Sequence, residues 1–183
     1  MAFNINDFRG ELEFGGARSS LFEVTMTNPL NGAGDSKFRF LCRAAQIPAA
    51  TIGVVTTPYF GRQVKHAGNR TFDPWTVTVM NDEDFLIRNA LEQWNTEINS
   101  LEGNLRTGAA GVATYKTGVA DVIQYGKDGR AIRSYQFVGM WCSDLSAMDL
   151  SWDSEAIQEF TATFQYDYWV PGTTGDTTAS AVV

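Results

Sequence analysis

The stretch Glu159–Trp169, EFTATFQYDYW, sorts itself by parity. Even positions carry Phe160, Ala162, Phe164, Tyr166 and Tyr168; odd positions carry Glu159, Thr161, Thr163, Gln165 and Asp167. Successive side chains of a strand point to opposite faces, so the pattern predicts a strand with one apolar and one polar face. The same alternation recurs along the chain. Phe22, Val24 and Met26 alternate with Glu23, Thr25 and Thr27 until Asn28-Pro29 ends the run. Phe38, Phe40 and Cys42 alternate with Lys37, Arg39 and Arg43, in a strand expected to stop by Pro48. Trp75, Val77 and Val79 alternate with Thr76 and Thr78, and Met148, Leu150 and Trp152 with Asp149, Ser151 and Asp153. Strands are also expected at VADVIQY and AIRSYQFVGMW, joined by Asp-Gly turn chemistry in Gly126-Lys127-Asp128-Gly129. The segment Thr51 to Lys65 is β-like but interrupted by Pro58 and Gly61, which predicts an extended, bent hairpin.

One segment changes period. In DEDFLIRNALEQWNTEIN, residues 82–99, Ile87, Leu91, Trp94 and Ile98 form a single helical stripe. Asp82, Glu83 and Asp84 are expected at its start, where a cap and negative charge are both favoured. Residues 100–118, rich in Gly, Ala and Thr, have no period and predict a long loop. The fold class expected is mainly β: a two-sheet antiparallel β-sandwich or barrel with one α-helix at about residues 82–99. The expected organisation is an N-terminal arm (1–20), one domain (21–170) and a disordered tail (171–183).

At 183 residues the chain can bury a sufficient core as one domain without disulfide or metal. Its 12 Phe, 6 Tyr and 5 Trp suit a β-rich interior or a large interface. Acidic residues outnumber basic ones 21 to 14, a net charge of −7, which argues against a nucleic-acid binder held by phosphate contacts. The N-terminal MAFNINDFRGELEFGG reads as neither signal peptide nor membrane span. Cys42 and Cys142 are expected as structural thiols in a reducing compartment, with their pairing left open.

A search for chemistry comes up empty. His66 is the sole histidine, so a triad or a histidine metal site lacks its parts. Asp82, Glu83 and Asp84 lack the spacing of a calcium loop. Asp149, Asp153 and Glu155 could pair as acid and base, although a solvated or interface face explains them more simply. GAAGVATYKTG lacks phosphate-loop spacing, and no G-x-S-x-G elbow occurs. The expectation is a non-enzyme with no cofactor, no metal and no small-molecule substrate.

Several ordered stretches together resemble one family: GGARSSLFEVTMTNP, FLCRAAQIPAATIG, YFGRQVKHAGNRTFDPWTVTV leading into NDEDFLIRNALEQWNTEIN, and SYQFVGMWCSDLSAMDLSWDSEAIQEFTATFQYDYW. Over roughly residues 14 to 170 the chain is similar to the tail-tube proteins of contractile-tailed bacteriophages. The resemblance implies a structural virion subunit, assembled in the host cytoplasm, whose hexameric rings stack into a hollow tube. It implies a sheath around the tube, a baseplate below it, a tape-measure protein inside it, and double-stranded DNA passing without specific binding. The odd face of the opening strand (Glu159, Thr161, Thr163, Gln165 and Asp167) then becomes the candidate channel lining. Candidate ring-to-ring contacts are Phe8 and Leu12 on the arm, Tyr59, Phe60 and Arg62 on the hairpin, and Leu105 and Arg106 in the loop. The alternatives are the tube of a phage-like injection or secretion device, or a monomeric β-sandwich binding module recognising a ligand through its Gly-rich loop.

Overall fold

The structure, a computed structural model, describes residues 5–12, 15–30, 32, 34–106, 115–116 and 118–172. Their elements run α1 (Ile5–Glu11), β1 (Phe22–Thr27), α2 (Asp35–Leu41), β2 (Cys42–Ala45), β3 (Ala50–Tyr59), β4 (Arg62–Phe72), β5 (Trp75–Met80) and α3 (Leu86–Ile98). They continue with β6 (Gly118–Tyr125), β7 (Ala131–Leu145), β8 (Glu159–Gln165) and β9 (Tyr168–Gly172).

Two antiparallel sheets share one strand. The first half of β7 lies between β6 and β9, with β1 beyond β6; its second half pairs with β8, followed by β5 and β2. Gly139, with φ +68°, marks the changeover, a bend that permits one strand to serve both layers. The path ends at β1 and β2, so the arrangement is an open sandwich and not a closed barrel.

The alternation read from the sequence drives the packing. In β5, Trp75, Val77 and Val79 are buried; in β8, Phe160, Ala162 and Phe164 are; in β1 and β6, Val24, Met26, Ala120 and Val122 are. Trp75 stacks on Phe137 across the two layers at 4.5 Å between ring centres. Helix α3 closes one opening by inserting Ile87, Leu91 and Trp94 into the same core. Each such side chain contributes on the order of 1.5–3 kcal/mol by leaving water.

The expected helix is present as α3, but it is one of three among the described residues. α3 begins at Leu86: Phe85 takes the cap position with φ 50°, and Asp84 accepts the Leu86 N–H at 3.1 Å. Residues 35–41, read as a strand from Phe38 and Phe40, form α2 instead. Its N-terminal Asp35 accepts the Asn28 N–H through both carboxylate oxygens, at 3.2 and 3.1 Å. Gly34 before it is left-handed, and a Cβ there would lie 3.2 Å from the Ile87 backbone, so α2 sits tight against α3. Lys37 then fastens the two by ion pairs to Asp82, at 2.7 Å, and to Asp84. The third helix, α1, lies in the N-terminal arm.

Two further readings change. Met148, Leu150 and Trp152 belong to no strand; residues 146–158 form an exposed connection in which Trp152 is fully exposed. The opening stretch is two strands: β8 stops at Gln165, and after Tyr166 and Asp167 the chain joins the other sheet as β9. Parity inverts at that crossing, so Tyr168 is exposed while Trp169 packs against the core. Most of the expected tail, 173–183, lies outside the described residues, as do 107–114 of the Gly-rich loop.

The hairpin β3–β4 forms a separate two-stranded sheet whose residues are exposed along almost its whole length. At about 3.3 Å per residue, its ten-residue first strand reaches roughly 30 Å. The register slips near Gly53, opposite Gly68, which supplies the bend. Its tip is a two-residue turn with Phe60 at φ 42° and Gly61 at φ 77°, the left-handed pair that matches strand twist.

Candidate functional site

The outward face of β8 is set by register. Thr161 stands opposite Thr78, and Thr163 opposite Thr76 on one side and Asp144 on the other. Glu159 faces Met80 and forms an ion pair with Arg43 on β2; Gln165 faces Trp141. Thr161 donates its N–H to Ser146 Oγ at 2.9 Å, and the Ser143 hydroxyl donates to Thr163 O at 3.0 Å. The result is a half-buried field of four threonines, with charge confined to one neutralised pair and Asp144. Asp167 lies apart from this row, in the β8–β9 turn. Its N–H donates to Val138 O at 3.0 Å and its carboxylate receives Lys116 at 2.5 Å.

The outer face of the other sheet is different. It carries Glu23, paired with Arg39 at 2.5 Å, and Asp121, whose pKa burial pushes up despite a hydrogen bond from Gln136. Each outer face carries one ion pair and one further carboxylate; what sets the face around β8 apart is its two facing rows of threonine. Parity located Thr161 and Thr163 in the sequence. Their neighbours Thr76 and Thr78 were legible as the polar side of β5, but only the register places the two rows side by side.

The remaining candidates occupy three separate exposed places. Phe8 and Leu12 lie on or just after α1; Tyr59, Phe60 and Arg62 form the hairpin tip; Leu105 stands in solvent after α3. Arg106 lies over the Tyr115 ring at 4.7 Å. His66 is an exposed residue of β4, and among the described residues no group of three metal-ligating side chains occurs. Asp149, Asp153 and Glu155 stand on the exposed 146–158 connection, not on a strand face. Cys42 and Cys142 are free thiols that burial pushes up to about 12.

This fold recurs in chains of contractile injection systems. The chain superimposes on the anti-feeding prophage tube-terminating cap with a TM-score of 0.63 at 14% identity, covering 86% of this chain and 91% of that one. It matches a chain of the extracellular contractile injection system PVC sheath–tube complex in its extended state with a TM-score of 0.61 at 11% identity, covering 94% and 100%. At such identities the likeness speaks for the fold alone. Sequence supplies the rest: the phage tail tube protein family model matches residues 6–171. Tail tube protein gp19 of Enterobacteria phage T4 is 35% identical over 170 residues, 92% of this chain and 94% of that protein. The tail tube protein of Serratia phage KSP90 is 24% identical over 168 residues, 88% and 93%. The chain belongs to the phage tail tube protein family.

Proposed function

We propose that this tail tube subunit closes with five further copies into a ring, and that stacked rings conduct double-stranded DNA past the β8 face. The observation that carries this reading is the threonine field on a sheet with two free edges. β2 at one side, and the second half of β7 at the other, have no further strand partner among the described residues. Unpaired edges invite association, and ring closure satisfies them as barrel closure does within one chain. Threonines then line the middle of the wall and its one arginine, Arg43, is paired with Glu159, where each unpaired lysine or arginine would add a phosphate contact. The tube so formed would lie within a sheath on a baseplate, enclose a tape-measure protein before DNA enters, and reside in the virion after assembly in the host cytoplasm. No catalysis or small-molecule substrate belongs to this role.

The test is Thr161→Lys or Thr163→Lys in the phage. Both side chains lie off the core face, so the subunit should fold and tubes should assemble. Each ring would then present six added positive charges, and DNA ejection should slow, more so at low salt. Unchanged ejection kinetics with correctly assembled mutant tubes would place the channel on another face.

A further inference from the structure

The strand pair β5–β8 has two poles. At one end, where β5 begins at Trp75 opposite Phe164, the β3–β4 hairpin is rooted: Asp73 N–H donates to Ala49 O at 3.2 Å, and the Tyr166 hydroxyl to Asp73 O at 2.6 Å. At the other end, where Met80 faces Glu159, the 146–158 connection is rooted. There Asn81 N–H donates to Gln158 O at 2.9 Å, and the Asn81 side chain to Gln158 Oε1 at 2.9 Å.

The two projections are opposite in charge and alike in exposing apolar surface. Residues 50–72 contain Arg62, Lys65 and Arg70 and no carboxylate, a formal charge of +3. Residues 146–158 contain Asp149, Asp153 and Glu155 and no cation, a formal charge of −3. Among the described residues none of these six forms an ion pair. Phe60 at the hairpin tip is 91% exposed, and Trp152 in the connection is fully so. Phe60 is also held at positive φ, which costs a non-glycine residue free energy, and its exposed ring stands edge-to-face with Tyr59 at 4.7 Å between centres.

We infer that the β3–β4 hairpin of one copy docks on the 146–158 connection of a second copy, seating Phe60 beside Trp152 and opposing the two sets of charges. The proposal rests on the tube reading and names the surface through which copies join end to end. Complementary patches on opposite poles make a head-to-tail contact, which propagates along one direction unless a rotation closes it. Buried aromatics supply the affinity of such a contact, and opposed charges its register and encounter rate.

The test is charge reversal in the purified full-length protein, followed by sedimentation and electron microscopy. Arg62→Glu/Lys65→Glu/Arg70→Glu sets like charges against the connection; Asp149→Lys/Asp153→Lys/Glu155→Lys sets like charges against the hairpin. Each triple variant should keep its circular dichroism spectrum and raise the concentration needed for polymers by roughly a hundredfold. The chain carrying all six reversals should regain assembly. Phe60→Asn, which tolerates the left-handed turn, should fold at least as stably as the parent yet assemble poorly. Parent-like assembly of either triple variant, or no recovery in the combined variant, would overturn the hairpin–connection contact and leave the tube reading standing. A parent chain that stays monomeric in all conditions, and in tails forms no tube, would remove both.

Discussion

Gly118 offers the sharpest check on the packing. A Cβ built there would lie 2.5 Å from Cη2 and 2.9 Å from Cζ2 of Trp94, and 2.7 Å from the Met140 carbonyl oxygen. Comfortable carbon contacts begin near 3.5 Å, so the methyl of Gly118→Ala overlaps the indole by about 1 Å. Neither neighbour yields easily. Met140 is the register partner of Gly118 across β6–β7, and Trp94 is fully buried with its indole N–H donating to Tyr115 O at 3.1 Å. Overpacking costs about 1–3 kcal/mol and loss of the indole hydrogen bond about 1 more, a total of about 2–4 kcal/mol. In a domain of this size the melting midpoint should fall by about 5–15 °C. Urea unfolding followed by tryptophan fluorescence, with calorimetry, measures it. Gly10→Ala, where a Cβ meets nothing within 4 Å, is the control and should shift stability by no more than about 1 kcal/mol. Because both close atoms lie at the far end of the indole, beyond the reach of a phenylalanine ring, Trp94→Phe should cost less in the Gly118→Ala background than in the parent. A loss below about 0.5 kcal/mol for Gly118→Ala, or strict additivity with Trp94→Phe, would refute this account of the α3–sheet seam.

Arg88 binds Glu92 at 2.6 Å and Ser146 O at 3.0 Å, and lies over the Phe160 ring at 5.1 Å; Arg88→Met should cost about 1.5–3 kcal/mol in chemical denaturation. The hydrogen bonds from Lys37 hold the Asp82 and Asp84 carboxyls below their ordinary value of 3.8. Their stabilisation is therefore present above pH 3.8 and lost as the pH falls through the lowered values, and Asp82→Asn/Asp84→Asn should flatten the acid limb of the melting-temperature curve. Burial pushes both thiols up to about 12, so a disulfide reagent at pH 8 should label native Cys42 and Cys142 far more slowly than the same thiols in urea.

Strands that are buried on one face and paired on both sides were legible, because alternation and environment agree there. β5, β6 and β8 are such strands, the edge strand β1 follows the same alternation with one face buried, and the Gly126–Gly129 hairpin turn closes with Gly126 N–H donating to Arg130 O at 2.8 Å. α2 was hidden because seven residues satisfy period two and period 3.6 alike. What decides it lies outside the segment: Phe38 enters the core, Phe40 stays in solvent, and Asp35 binds the Asn28 backbone seven residues earlier. Met148–Trp152 alternates faithfully but has no strand beside it, and alternation cannot report a missing partner. The inversion at Asp167 was equally invisible, since the switch from one sheet to the other depends on the bend of β7 at Gly139. At the candidate site, parity separated the polar from the apolar side of β8. The identity of its neighbours, and so the facing of the two threonine rows, waited on register.

The sharing of β7 between the layers has a mechanical meaning. Two sheets held together by side-chain packing alone can rotate or slide against each other by small amounts at little cost. Here one covalent backbone runs through both, so their angle changes only by deforming the chain near Gly139. A building block repeated along a shaft hands any angular error to every copy after it. Fixing that angle within the monomer makes straightness a property of each part before any part meets another.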